Sequence, residues 1–205
     1  MKKERVIAYI DGFNLYFGLK ESGFRRYYWL NLTRMIHNLL KPYQRIVEVK
    51  YFTTRISQPP QKVKRQSTYL EALETLSDLT IYYGHYLQRP IECRKCGNRW
   101  SASEEKMTDV NIATEMIFDA LNDRFDTVFL VSGDSDLVPP VKRIREQNPD
   151  KKIIVFFPPK RESYHLKNTV HNAFIIGRGT LAKSQLPEEI TKSDGFILKR
   201  PQEWR

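Results

Sequence analysis

Residues 6–16 read VIAYIDGFNLY and residues 126–141 read DTVFLVSGDSDLVPPV. Each holds a nearly unbroken apolar run, and an Asp follows each run at once or within three residues. A third run, IIVFF at residues 153–157, stops at Pro158 and Pro159. Runs without polar alternation fit strands covered on both faces, as in a parallel sheet. Working outward, shorter strand-like runs cover residues 46–53, 79–86 and 173–176. Between them lie helical patterns. Residues 32–40 stop before Pro42, and residues 61–77 place Val63, Tyr69, Leu70, Leu73 and Leu76 roughly on one face. Residues 104–122 repeat the spacing with Val110, Ala113, Ile117, Ala120 and Leu121, and residues 137–147 with Val141 and Ile144. Strands alternating with helices predict a doubly wound α/β sheet. Residues 89–103 break the rhythm and read as an inserted loop. The polar segment after Thr180, with Pro187 and Pro201, reads as a tail. The expected organisation is a domain over residues 1–180, an insertion at about 88–103, and a tail over 181–205.

Composition sets the class. With 40% hydrophobic and 28% charged residues among 205, a core is affordable and disorder is not the default. No apolar run approaches the roughly 20 residues of a membrane helix. The N-terminal MKKERVIAYIDGF turns acidic after a short apolar run and lacks a cleavage pattern, so a cytoplasmic protein without a membrane partner is expected. The formal charge of +10 favours a polyanionic partner, most simply nucleic acid. Arg25, Arg26, Tyr27, Tyr28 and Trp29 form one basic and aromatic cluster, and Trp204 stands beside Arg205. Positive charge with aromatic faces suits single-stranded nucleic acid. Burial of Tyr28 and Trp29 in the core is the competing reading.

The carboxylates fall at telling places. Asp11 follows the first buried run, Asp134 and Asp136 follow the second, and Asp109 sits near the start of the long helix in EKMTDVNIATEMIF. In an open α/β sheet, ligands bind beyond the carboxyl ends of the strands. Parallel strands would bring Asp11, Asp134 and Asp136 to one edge, which Asp109 joins if its helix starts there. Taken singly, each is an ordinary turn or cap residue. Together they form a mutually repelling group that a divalent cation would neutralise. Hard oxygen donors suit Mg²⁺ or Mn²⁺, which support phosphodiester hydrolysis.

YIDGFNLY, then KMTD, then SGDSDLVPPV, in this order, resemble the NYN domain family, in particular its LabA-like branch among the PIN-like nucleases. The resemblance runs from Val6 to about Ile176. It implies a Rossmann-like three-layer α/β/α sandwich with a mainly parallel sheet, and a Mg²⁺- or Mn²⁺-dependent ribonuclease acting on RNA. By the same resemblance Asp11, Asp109, Asp134 and Asp136 are metal-site and catalytic residues, and Asn14 is a catalytic asparagine that meets a phosphate or fixes a carboxylate. Lys106 and Ser132 are implied as substrate-side residues, with Lys106 one helical turn before Asp109. Glu115 stands where many relatives carry Asp. The acidic residue usual near His171 is replaced, so nothing catalytic is assigned there.

The insertion holds the chain's two cysteines, Cys93 and Cys96, in ECRKCGNRW. C-x-x-C-G resembles half of a structural zinc site. His85, Glu92 or a second copy of the chain in a homodimer would have to complete it. Free thiols are the competing reading. Two further functions compete with the nuclease: a binding or regulatory module of the same fold without turnover, and a haloacid-dehalogenase-type phosphatase. The last needs an Asp two positions after Asp11, where this chain has Phe13.

Overall fold

The computed structural model describes residues 3–205, the side chains of Gln88 and of residues 100–104 excepted. The first two residues of the charged N-terminus and those side chains of the insertion lie outside the described residues. In chain order the elements are β1 (Glu4–Asp11), α1 (Gly12–Glu21), α2 (Leu32–His37), β2 (Gln44–Thr53), α3 (Pro60–Glu74), β3 (Leu79–Tyr83), β4 (His85–Glu92), β5 (Arg99–Lys106) and α4 (Thr108–Leu121). There follow β6 (Thr127–Val131), α5 (Val138–Gln147), β7 (Lys152–Phe157), α6 (Tyr164–Thr169), β8 (Asn172–Ile175), α7 (Arg178–Lys183), β9 (Glu189–Thr191) and β10 (Ile197–Lys199). No helix among the described residues is long and apolar enough to cross a membrane.

Six strands form one sheet in the order β3-β2-β1-β6-β7-β8, and every neighbouring pair is parallel. The sheet is covered on both faces. Val6, Ala8 and Ile10 of β1 pack into one core with Leu15 and Leu19 of α1, Met35 and Ile36 of α2, and Leu70 and Leu73 of α3. Ile7 and Tyr9 face the other core, with Ile112 and Met116 of α4, Val141 and Ile144 of α5, and Leu166 of α6. Alternate side chains of one strand thus enter two dry layers, which is why β1 reads as a continuous apolar run. The result is the expected three-layer α/β/α sandwich. Strand order reverses between β1 and β6, and open α/β sheets bind ligands beyond the carboxyl ends of the strands at such a point.

The structure differs from the sequence expectations in four places. Helix α1 follows β1 directly, capped by the Asp11 side chain, where no element had been expected. The run at 79–86 is two strands: the chain leaves the sheet at Gly84, whose position has no room for a side chain, a Cβ there standing 2.6 Å from the Lys106 carbonyl oxygen. The inserted loop is instead an antiparallel hairpin of β4 and β5, paired from His85↔Lys106 to Glu92↔Arg99. Residues 104–106 therefore belong to a strand, and α4 starts only after Met107, at a left-handed φ of 80°. The fourth difference is the C-terminal segment, which is no loose tail. Leu186, Leu198 and Trp204 form a third core with Trp29 and Ala72. The Trp29 indole donates to the Pro187 carbonyl at 2.6 Å. With Trp29 fully buried and Trp204 nearly so, neither indole is free to stack on a base.

Candidate active site at the carboxyl edge of the sheet

Asp11 ends β1 and is buried, which alone would push its carboxyl up. Three donors answer that cost. The Asn14 amide donates to Oδ1 at 3.0 Å, and Asn14 Nδ2 and Ser132 Oγ donate to Oδ2 at 2.7 and 2.8 Å. Burial still prevails, aided by the charge of Asp134, and the Asp11 carboxyl lies above its ordinary value. The two strand-end motifs interlock further. Gly133 N donates to Asn14 Oδ1 at 3.2 Å, and Asp134 N donates to Ser132 Oγ at 3.0 Å. Asp134 in turn caps a short 3₁₀ turn, accepting from Asp136 N at 2.9 Å. Gly133 has no alternative residue: a Cβ there would stand 1.7 Å from the Arg161 carbonyl oxygen.

Asp109 reaches the same edge from the first turn of α4. Its carboxyl is pushed up to about 7 by partial burial and by the charges of Asp11, Asp134, Glu105 and Asp136. That shift is the electrostatic signature of convergence: carboxylates from β1, the β6 end and α4 act on one group. Glu105 was not anticipated. Its Oε1 accepts from Thr108 N at 3.1 Å and from the Thr108 hydroxyl, capping a helix whose own N-cap, Met107, offers no side-chain acceptor. The signal available was a Glu three residues before Thr108, but it had been read as helix. Asp136 is exposed, and Asp109 and Asp134 are half-buried, so the edge opens to solvent. Two surface concavities, one lined by Asn31, Arg34 and His37 and the other by Arg26, Arg200 and Arg205, do not include these carboxylates.

Two residues stand elsewhere than expected. Lys106 ends β5 and is separated from α4 by Met107, so it is not one helical turn before Asp109. Glu115 lies farther along α4 and binds the buried Lys50 Nζ at 2.7 Å and the Tyr82 hydroxyl at 3.0 Å. It belongs to an internal charge network and not to the acidic edge. Beside the edge, exposed Tyr16 and Phe17 lie on α1, and Phe13 packs edge-on to Tyr86 of the hairpin at 6.1 Å. Lys20 Nζ and the Arg161 guanidinium each stand 5.6 Å from the Phe17 ring centre.

A family model for the NYN domain matches residues 5–177 of this chain. The chain belongs to the NYN domain family. A curated relative, 6-hydroxy-3-succinoylpyridine 3-monooxygenase HspA of Pseudomonas putida, is 28% identical over 242 residues, covering 98% of this chain and 75% of that protein. A solved structure of a Vibrio parahaemolyticus protein of unknown function superposes with a TM-score of 0.61 at 25% identity, covering 90% of this chain and 98% of that one. The NYN domain brings a nuclease-like fold, and its match ends at Gly177, just after β8.

Among the described residues no three acidic, histidine or cysteine side chains close around a point as a finished metal shell. The donor set of this NYN domain nevertheless fits a hard divalent cation. It consists of carboxylate oxygens only, and partial burial together with their mutual repulsion raises Asp109. The raised Asp109 carboxyl sets a pH response of the metal-free protein. A carboxyl held protonated by the fold up to about 7, against 3.8 when unperturbed, favours the folded state at low pH. That advantage disappears as pH rises through the folded value, because the unfolded chain gives up the proton first. Thermal melts of metal-free protein across this range should fall more steeply for the wild type than for Asp109→Asn. Parallel curves would refute the assignment.

Proposed function

We propose that this chain is a cytoplasmic, Mg²⁺- or Mn²⁺-dependent ribonuclease of the LabA-like branch of the PIN-like nucleases. The carrying observation is the convergence of Asp11, Asp109, Asp134 and Asp136 at the strand-order reversal, read out in the raised Asp109. Asp11, Asp109 and Asp134 would hold the cation, with Asp136 at the solvent side. Such a cation supplies Lewis-acid neutralisation of a phosphodiester's negative charge. The protein's own groups do the positioning. Asn14 and Ser132 aim the Asp11 carboxylate, and the Gly133 amide orients Asn14. Asn14 thus favours the carboxylate-fixing role over direct phosphate contact. Tyr16 and Phe17, with Lys20 and Arg161 against the Phe17 ring, offer base-stacking faces and positive charge beside the edge, as single-stranded RNA requires.

The test is incubation of purified protein with end-labelled single-stranded and hairpin RNA, with Mn²⁺ or with chelator. Cleavage with Mn²⁺ that chelator stops is the expected result. Binding without cleavage would point instead to a regulatory RNA-binding module. A second reading comes from the name of the Pseudomonas relative, oxygen insertion into a hydroxypyridine, and rests on 28% identity along nearly the whole chain. Oxygen uptake with 6-hydroxy-3-succinoylpyridine and an added reductant, in a preparation inert toward RNA, would replace the nuclease reading.

A further inference from the structure

The geometry points to the tip of the β4–β5 hairpin as half of a structural zinc site, completed by a second copy of this chain, with four thiolates from two chains around one ion. The pairing of β4 and β5 ends at Glu92↔Arg99, leaving CRKCGN as the turn. The turn is closed by Cys93 N donating to the Asn98 carbonyl and Gly97 N to the Cys93 carbonyl, both at 2.8 Å. Gly97 makes this closure with a left-handed φ of 67°, a conformation that favours glycine. The nearby backbone amides of Cys96 and Lys95, with the Cys96 side chain, hold the Cys93 thiol below its ordinary value. Both cysteines therefore lie in one closed turn at the end of the ribbon. A neutral thiol gains little from neighbouring amides, whereas a thiolate, the form that binds metal, is favoured by them.

One chain cannot finish the site. Structural zinc takes four ligands, and the chain has two cysteines. Glu92 is engaged with Arg99 at 2.9 Å. His85 pairs with Lys106 at the hairpin base, seven strand steps from Glu92, or about 23 Å at the usual rise. The remaining histidines belong to the body: His37 ends α2, His165 lies in α6, and His171 accepts from Ile153 N at 3.1 Å.

The hairpin's two faces point to the same occupant. Tyr86 turns inward onto Phe13. Leu87 and Ile91, on the opposite face by strand alternation and in phase with Cys93, are 41% and 39% exposed. Two copies meeting about a two-fold axis would cover these residues on each other. Charge makes the association metal-dependent. Zinc with four thiolates carries a net charge of about −2, which exposed Arg94 and Lys95 of both copies surround with positive charge. Without the ion, two basic tips would face each other and repel.

The experiment titrates Zn²⁺ into reduced, metal-stripped full-length protein, read by native mass spectrometry and sedimentation velocity, with Co²⁺ as a spectroscopic substitute. The expected result is one zinc per two chains, a doubling of mass from 24.3 kDa, and a sulfur-to-cobalt charge-transfer band. Cys96→Ser should lose the dimer and the band while keeping the wild-type circular dichroism and melting temperature. Metal retained by Cys93→Ser is bound by the carboxylates and is subtracted. A zinc per chain on a monomer, a dimer indifferent to zinc and to both cysteines, or cobalt spectra without the thiolate band would each overturn the inference.

Discussion

Asp134→Asn should lower metal-dependent RNA cleavage by more than about a hundredfold, since even residues that merely support metal ligands cost 10- to 100-fold when lost. The substitution is close to isosteric. The amide oxygen can still accept from Asp136 N, as Asp134 Oδ1 does at 2.9 Å, so the 3₁₀ turn that follows keeps its cap. What disappears is one negative charge from a group that already holds Asp109 up to about 7. Metal-free Asp134→Asn should therefore melt at or above the wild-type temperature while its activity collapses. Loss of activity through misfolding would move both quantities down. Cleavage within a few-fold of wild type would remove Asp134 from the proposed site.

The largest stability effect should come from a residue with no part in that chemistry. Lys50 is fully buried in β2, with Nζ 2.7 Å from Glu115 and 2.6 Å from Asp119. Asp119 is equally buried and also accepts from the Tyr9 hydroxyl at 2.5 Å and from Arg124 at 2.8 Å. Lys50→Met fills nearly the same volume but leaves two carboxylates without their shared cation. Breaking a buried pair from one side costs about 3–5 kcal/mol. Urea denaturation should show a loss of that size. Adding Asp119→Asn, whose Oδ1 can accept from Arg124 while its Nδ2 donates to the Tyr9 hydroxyl oxygen, should recover part of it. A single-variant loss below about 1 kcal/mol, at the level of exposed ion pairs, would show that the network contributes little.

How far the sequence could be read follows from the same physics. Strands β1, β6 and β7 were visible because burial on both faces leaves no polar residue to interrupt them. Asp11, Asp134 and Asp136 were visible because strand ends in a parallel sheet share an edge. Helix α1 was hidden by Phe13, Tyr16 and Phe17, aromatics on its outward side that blur the apolar stripe. The hairpin was hidden because Arg89 and Pro90 interrupt β4 and β5 is mostly polar, and because the cysteines drew the reading toward a loop. Leu186, Leu198 and Trp204 anchor the C-terminal segment at spacings too wide for any periodicity to register. Lys50 gave no signal, since nothing in VKYFTT distinguishes an interior lysine from a surface one. Glu105 was assigned to the wrong element, because only tertiary structure shows that the helix begins after Met107.

The hairpin departs and returns at neighbouring points, with His85 opposite Lys106 and Gly84 against the Lys106 carbonyl. The excursion is thus a closed detour, and the six parallel strands are laid out without it. Lengthening, trimming or exchanging residues 86–104 would leave the route of the main chain through the sandwich unchanged. Natural variation can act on this appendage independently of the scaffold, so long as Glu105 stays behind to start α4. Relatives built on one frame can in this way differ in what they assemble with and keep the same working edge.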